Sequence, residues 1–181
     1  DQVMNFDFCD DEKRLFENVR AIAAAAPAEE ALAGQSADAV SRTLRDILRK
    51  LAEIGYLQLG FGNDAQADAV PLMKAMETLA GQARSLFLAV EMGTRVLGRA
   101  MAHWATDEQK ERWLQGFLAG ESIGALALSE NTMNVENDPL QTQGVRKGGR
   151  VLVSGSKNYV VNGPLADRIG VVGVLDGRPA I

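Results

Sequence analysis

Cysteine and histidine are nearly absent: in 181 residues, Cys9 and His103 each stand alone. One cysteine excludes an intramolecular disulfide and any cysteine-built metal site, and one histidine excludes the two-histidine zinc motifs. Cys9 is expected to be a plain reduced side chain near a terminus. His103, beside Trp104, is expected to pack or sit on the surface at a helix end. Long apolar runs are also missing. None approaches the roughly 18 residues of a membrane span, and no secretory signal opens the sequence. The expected location is the cytoplasm or an organelle matrix, with no membrane span. An excess of positive charge is lacking too: Lys+Arg total 19 against Asp+Glu 24, for a net charge of −5. Without a basic stripe to follow a phosphate backbone, nucleic acid is excluded as a partner.

What is present is an ordinary globular composition, 46% hydrophobic and 24% charged, sufficient for a sizeable core. The first two thirds carry helical periodicity. Asp10 and Asp11 are placed to cap a segment whose Leu15, Phe16, Val19 and Ile22 recur at helical spacing up to Pro27. Val40, Leu44, Ile47, Leu48 and Leu51 form one stripe of a helix over about 37–54, which Gly55 ends. Residues 59–69 read as a loop, and 70–105 as two helices broken near Gly93. Thr106 followed by Gln109 is a capping box, and Asp107 and Glu108 suit the positive end of the helix it opens. Trp113, Leu114, Phe117 and Leu118 are its buried face, and Gly120 closes it.

After Gly120 the period changes from 3.6 to 2. Strands are expected over 123–129, 150–153, 157–161 and 169–175, with turns at Gly148-Gly149, Asn162-Gly163 and Asp176-Gly177. The expectation is an α+β chain: an N-terminal helical domain over 1–120 and an incomplete β domain over 121–181. A sheet that stops within a turn of its last strand reads as a fragment.

Isolated motifs say little. Gly60 and Gly62 lack the third glycine and the strand-turn-helix frame of a phosphate loop, and read as a connector. Ser129 has no acid-base partner that the sequence points to, which argues against a serine nucleophile.

Two longer blocks say more. "TDEQKERWLQGFLAGESIGALALSE", from Thr106 to Glu130, resembles the acyl-CoA dehydrogenase family, whose helical domain ends on G-T-E-E-Q-K-x-x-W-L-x-x-L-x-x-G-E before a strand closing on T-E-P. "GSKNYVVNGPLADR", from Gly155 to Arg168, resembles that family's G-x-K-x-W-I-T-N-G-x-x-A-D. The two blocks keep the family's spacing, with Thr142 and Gly148 in register between them. The resemblance implies a helical domain, a β-barrel domain and a C-terminal helical bundle that this chain does not contain, usually in a homotetramer. It also implies FAD as cofactor, an acyl-CoA thioester as substrate, and electron-transfer flavoprotein or another acceptor as partner.

Mapped onto this chain, the resemblance places Tyr159 over the flavin ring and Val160 toward the barrel core. Ser129 keeps the hydroxyl that meets the flavin's redox edge, and Leu126 and Leu128 offer backbone groups to its pyrimidine end. The departures are equally specific. "NTMNVEN" (131–137) replaces the family's P-G-A-G-S-D loop and holds no glycine. Val135 stands where a serine contacts cofactor and thioester ligand, and Val161 where a threonine reaches the flavin. Each lost hydroxyl forfeits about 0.5–1.5 kcal/mol net, together roughly 5- to 150-fold in affinity. The family's catalytic glutamate lies in the absent bundle, so no base is named here; Glu130 matches a motif glutamate with a structural role. Two functions follow: part of an FAD-dependent acyl-CoA dehydrogenase of fatty acid metabolism, or a flavin-poor family member acting as an assembly subunit. Acyl-CoA oxidase, nitroalkane oxidase and flavin-dependent monooxygenase activities occur on the same scaffold.

Overall fold

The computed structural model describes residues 7–61, 69–132 and 137–181. The chain is α+β: helices fill it to Leu118, and strands begin at Gly124. The helices are α1 (Asp10–Ala24), the one-turn α2 (Glu29–Leu32), α3 (Ala37–Glu53), α4 (Ala69–Gln82), α5 (84–104) and α6 (107–118).

Helix α3 shows how the sequence sets these elements. Ser36 caps it by accepting from the Ala39 N–H, and Gly55 stops it at φ +81°, a left-handed conformation that costs glycine little. Its stripe Leu44, Ile47, Leu48 and Leu51 is buried. Each such side chain contributes about 1.5–3 kcal/mol over leaving it in water. The stripe meets Phe16, Val19 and Ala23 of α1, Ala75 and Leu79 of α4, and Val90 of α5 in one core. Ile123, just ahead of the first strand, belongs to the same core and is fully buried, so the β part is rooted in the helical part.

Two expectations about the helices are corrected. The cap of α1 is Cys9, whose N–H donates to Glu12 at 2.7 Å, and Asp10 and Asp11 lie inside the first turn, where their charge favours the helix start. The break between α4 and α5 falls at Ala83, outside helical φ/ψ, and not near Gly93. Gly93 lies within α5, whose stretch Leu88–Arg95 is wound as a π-helix. Packing against the β part overrides glycine's weak helix propensity there. The capping box of α6 is as expected: Thr106 Oγ1 accepts from the Gln109 N–H at 3.3 Å, and Gln109 Oε1 accepts from the Thr106 N–H at 2.9 Å. Gly120 closes α6 at φ +70°, and a Cβ there would lie 2.5 Å from the Leu48 backbone.

The strands are β1 (Gly124–Ala127), β2 (Gln143–Lys147), β3 (Arg150–Ser154), β4 (Arg168–Val171), β5 (Gly173–Leu175) and β6 (Arg178–Ala180). β1 pairs in parallel with β4, from Gly124 opposite Arg168 to Ala127 opposite Val171. The second sheet has the order β3-β2-β5-β6, with β2 parallel to β5 and the other pairs antiparallel. Gly148-Gly149 and Asp176-Gly177 turn the two hairpins at positive φ, as expected. The single strand expected over 169–175 is two, because the chain crosses between sheets at Val172, whose N–H still donates to Ala127. The strand expected over 157–161 does not form. Lys157, Asn158 and Asn162 spend their polar groups on other segments, and Tyr159 (φ +55°) and Asn162 (φ +64°) bend the chain into a turn. Among the described residues, the strands do not close into a barrel.

Candidate functional site

The site is built where β1 ends. Beyond Ala127 the chain leaves the sheet through Leu128, Ser129 and Glu130, and the 157–163 turn lies against it. Two hydrogen bonds fasten the pieces: Lys157 Nζ donates to the Leu128 carbonyl at 2.9 Å, and the Asn158 N–H donates to the Ser129 carbonyl at 2.9 Å. Asn158 Nδ2 adds a bond to Asn131 Oδ1 at 2.8 Å.

Glu130 is the anchor beneath. Its carboxylate accepts from Lys157 Nζ (2.7 Å), Thr142 Oγ1 (2.6 Å), and the N–H groups of Gln141 (2.7 Å) and Thr142 (2.9 Å). Four donors around one carboxylate favour its charged form. The Lys157 bond above all, then the Thr142 hydroxyl, hold Glu130 down at about 2. The residue joins β1, the approach to β2 and the 157–163 turn, which is a structural role.

On this frame sit the expected ligand-facing residues. Tyr159 is 79% exposed, on a backbone conformation that bulky residues avoid. A strained backbone holding an aromatic ring out in solvent has no packing explanation, and such strain concentrates at ligand sites. Leu128 is exposed and Ser129 half-buried beside the same turn. The Leu128 carbonyl is engaged by Lys157, which leaves its N–H as the backbone group to offer. Leu126 and Val161 are half-buried; the Leu126 side chain lies over Gly170, where a Cβ would meet it at 3.2 Å. Val160 points the other way, lining a depression of about 350 Å³ with Ala127, Thr142, Val153, Ile169 and Val171. Val135 lies outside the described residues.

Three side chains that set this site, those of Asn162, Asp167 and Thr94, have contacts the sequence does not announce. Asn162 was read only as a turn residue, yet its Nδ2 donates to the carbonyls of Ala89 on α5 (2.7 Å) and Gly124 on β1 (3.1 Å). Asp167 accepts from the Ile123 N–H at 2.8 Å and from both terminal nitrogens of Arg45 on α3, tying β4's entrance to the helical part. Thr94 Oγ1 accepts from the Gly124 N–H at 3.2 Å. Asn162 and Asp167 both fall in the block that carries the resemblance, so that block held a signal. Arg45 and Thr94 sit in ordinary helical sequence, with nothing to mark them.

Residues 9–121 match the family described as acyl-CoA dehydrogenase, N-terminal domain. The chain belongs to the acyl-CoA dehydrogenase family. It is 25% identical over 142 residues to a short-chain specific acyl-CoA dehydrogenase of Clostridium acetobutylicum, a match covering 77% of this chain and 38% of that enzyme. Butyryl-CoA dehydrogenase from Megasphaera elsdenii superposes with a TM-score of 0.69 at 19% identity, covering 94% of this chain and 45% of that one. A glutaryl-CoA dehydrogenase from Mycobacterium smegmatis, solved with FADH2, gives 0.69 at 20% identity, covering 93% and 44%. At these identities the structural matches establish the fold. The chain spans less than half the length of each of these relatives. Among the described residues, no helix is long and apolar enough to cross a membrane.

Proposed function

We propose that this chain, as a helical domain over 1–120 and the start of a β domain over 121–181, forms the flavin-facing front of an FAD-dependent acyl-CoA dehydrogenase. The observation that carries the reading is Tyr159: an exposed aromatic on strained backbone, hydrogen-bonded through its neighbours to the Ser129 end of β1. A planar ring system laid on that edge would meet the Tyr159 face, the Ser129 hydroxyl, and backbone groups of Leu126 and Leu128. These residues fit a flavin. The structure of a glutaryl-CoA dehydrogenase of the same fold in complex with FADH2 supports it.

Bound there, FAD would accept the hydride removed from the acyl β-carbon. The chain's own work is orientation and dryness: Tyr159 covers the ring, Leu128 keeps water from its edge, and Ser129 supplies one hydrogen-bonding hydroxyl. Val161 gives packing only, and at Val135 the hydroxyl that the resemblance assigns to the thioester contact is missing. The base that takes the α-proton comes from outside these residues. Electron-transfer flavoprotein or another acceptor would receive the electrons, and the assembly would be a homo-oligomer in the cytoplasm or an organelle matrix.

Val161 and Val135 favour a second reading, a flavin-poor subunit that keeps the fold for assembly. The visible spectrum of the whole protein, loaded with FAD and then desalted, separates the two. Bands of bound flavin that bleach with an acyl-CoA are expected. Folded, colourless protein would overturn the enzyme reading in favour of the subunit.

A further inference from the structure

Helix α5 is gripped from two sides along one short stretch. On the inner side, Glu91 and Arg95 are each 3% exposed. Arg95 Nε donates to Glu91, and its terminal nitrogens donate to the carbonyls of Tyr56 (2.8 Å), Leu57 (2.9 Å) and Leu59 (2.7 Å). Tyr56 Oη donates to Glu91 Oε1 at 2.7 Å, and the Arg95 guanidinium stands over the Tyr56 and Phe61 rings. On the other side, Ala89, Gly93 and Thr94 receive the β part. Asn162 bonds to the Ala89 carbonyl and Gly124 to Thr94 Oγ1, and a Cβ on Gly93 would lie 2.1 Å from Asn162 Nδ2.

Both grips act on the π-wound stretch Leu88–Arg95, where the Val96 N–H reaches back five residues to Glu91. Rewinding it as α-helix would rotate the residues after the change relative to those before. The inner pair and the outer surface could not then both keep their partners. The π form is rare, and no proline enforces it here, so something must select it. Arg95 can do so, because its planar fork is locked on fixed backbone carbonyls of the 56–59 turn. Buried ion pairs add little net stability, and setting a register is their best-attested use.

We propose that Glu91 and Arg95 are positioning residues. They fix the π register of α5 and, through the Ala89–Asn162 hydrogen bond, set the turn that presents Tyr159. As far as it concerns the cofactor, this rests on the flavin-facing reading above.

The test uses the whole protein in three forms: Glu91→Met with Arg95→Met, Asn162→Gly, and all three changes together. Paired methionines keep the volume without stranding a charge, and glycine keeps the positive φ at 162. In flavin-free protein, amide exchange at 160–165 is expected to quicken about tenfold in the paired variant while α1 is unchanged, a size typical of coupling through packed networks. Coupling is reciprocal, so Asn162→Gly must quicken exchange at 89–96. FAD affinity is expected to fall about tenfold in either variant and no further in the combination. Unchanged exchange at 160–165 in the paired variant, or at 89–96 in Asn162→Gly, overturns the proposal, as do additive losses of affinity. If the paired variant does not fold, the Asn162→Gly arm decides. A wild type that binds no flavin sinks the flavin-facing reading alone, since the exchange result still judges the positioning.

Discussion

Glu91 in the helical part and Glu130 in the β part are both buried carboxylates with a cationic partner, but opposite forces dominate around them. In the helical cluster, burial governs: it holds Arg95 below its ordinary value and pushes Tyr56 far up, favouring the uncharged form of each. Around Glu130, donors govern: Lys157, Thr142 and two backbone N–H groups favour the charged carboxylate. The first cluster is charge kept in the core against a desolvation cost. The second is a carboxylate used as a hydrogen-bond hub between segments that lack a shared core. The contrast matches what each part has to bury. The helices share an apolar core, whereas Val145, Leu152 and Val153 on the β2–β3 hairpin are exposed.

Removing one partner from the helical cluster should have the largest effect. Arg95→Met leaves Glu91 buried without its cation and three carbonyls without a donor. The expected loss is about 3–5 kcal/mol, read as a drop in urea midpoint. Replacing Glu91 as well should recover most of it, because the stranded charge is gone. A single variant no worse than the double would show that burial does not govern this cluster.

Second in size is the acid response of the β hub. Glu130 is held at about 2, below the roughly 4.3 of an unfolded glutamate. Its contribution is therefore complete above about pH 4.3 and is lost as pH falls toward 2. Asp167, held below its ordinary value by Arg45, acts in the same direction. The difference between wild type and Glu130→Gln isolates the first: the variant's stability should fall less steeply between pH 5 and 2. Parallel curves would mean that Glu130 is not depressed in the folded state.

Legibility in the sequence followed the same division. Helical stripes such as Leu44, Ile47, Leu48 and Leu51 were readable, because burial by an amphipathic face leaves a period. The Thr106–Gln109 capping box was readable as a local pattern with one physical solution. The turn at 157–161 reads as a strand in the sequence. "KNYVVN" has strand composition, and its shape is dictated by carbonyls of Leu128, Ser129, Ala89 and Gly124 that lie far off in sequence. The π winding at Gly93 reads as a break, since a glycine required by a side chain from residue 162 looks locally like a breaker. At the site, Tyr159 and Ser129 came from the resemblance, and its two blocks do lie against each other. Glu91 and Arg95 carry no signal in the sequence, because an acidic and a basic residue four apart on a helix look like a solvated surface pair.

An exposed ion pair in the β part gives the smallest expected effect and calibrates the other two. Arg146 on β2 meets Asp176 in the β5–β6 turn at 2.9 Å, with side chains 67% and 63% exposed. Water screens both charges, and the long Arg146 side chain loses freedom by pairing, so such contacts contribute about 0–1 kcal/mol. Asp176 also has a backbone task, since it turns the hairpin at φ +53°. Asp176→Asn removes the charge while asparagine tolerates that conformation equally well. Its urea midpoint should therefore shift by no more than about 0.5 kcal/mol equivalent, and less still in high salt. A larger, salt-sensitive loss would mean that the β part, short of core, depends on surface charge as well as on Glu130. The contrast between the two parts would then be deeper than the two buried clusters alone imply.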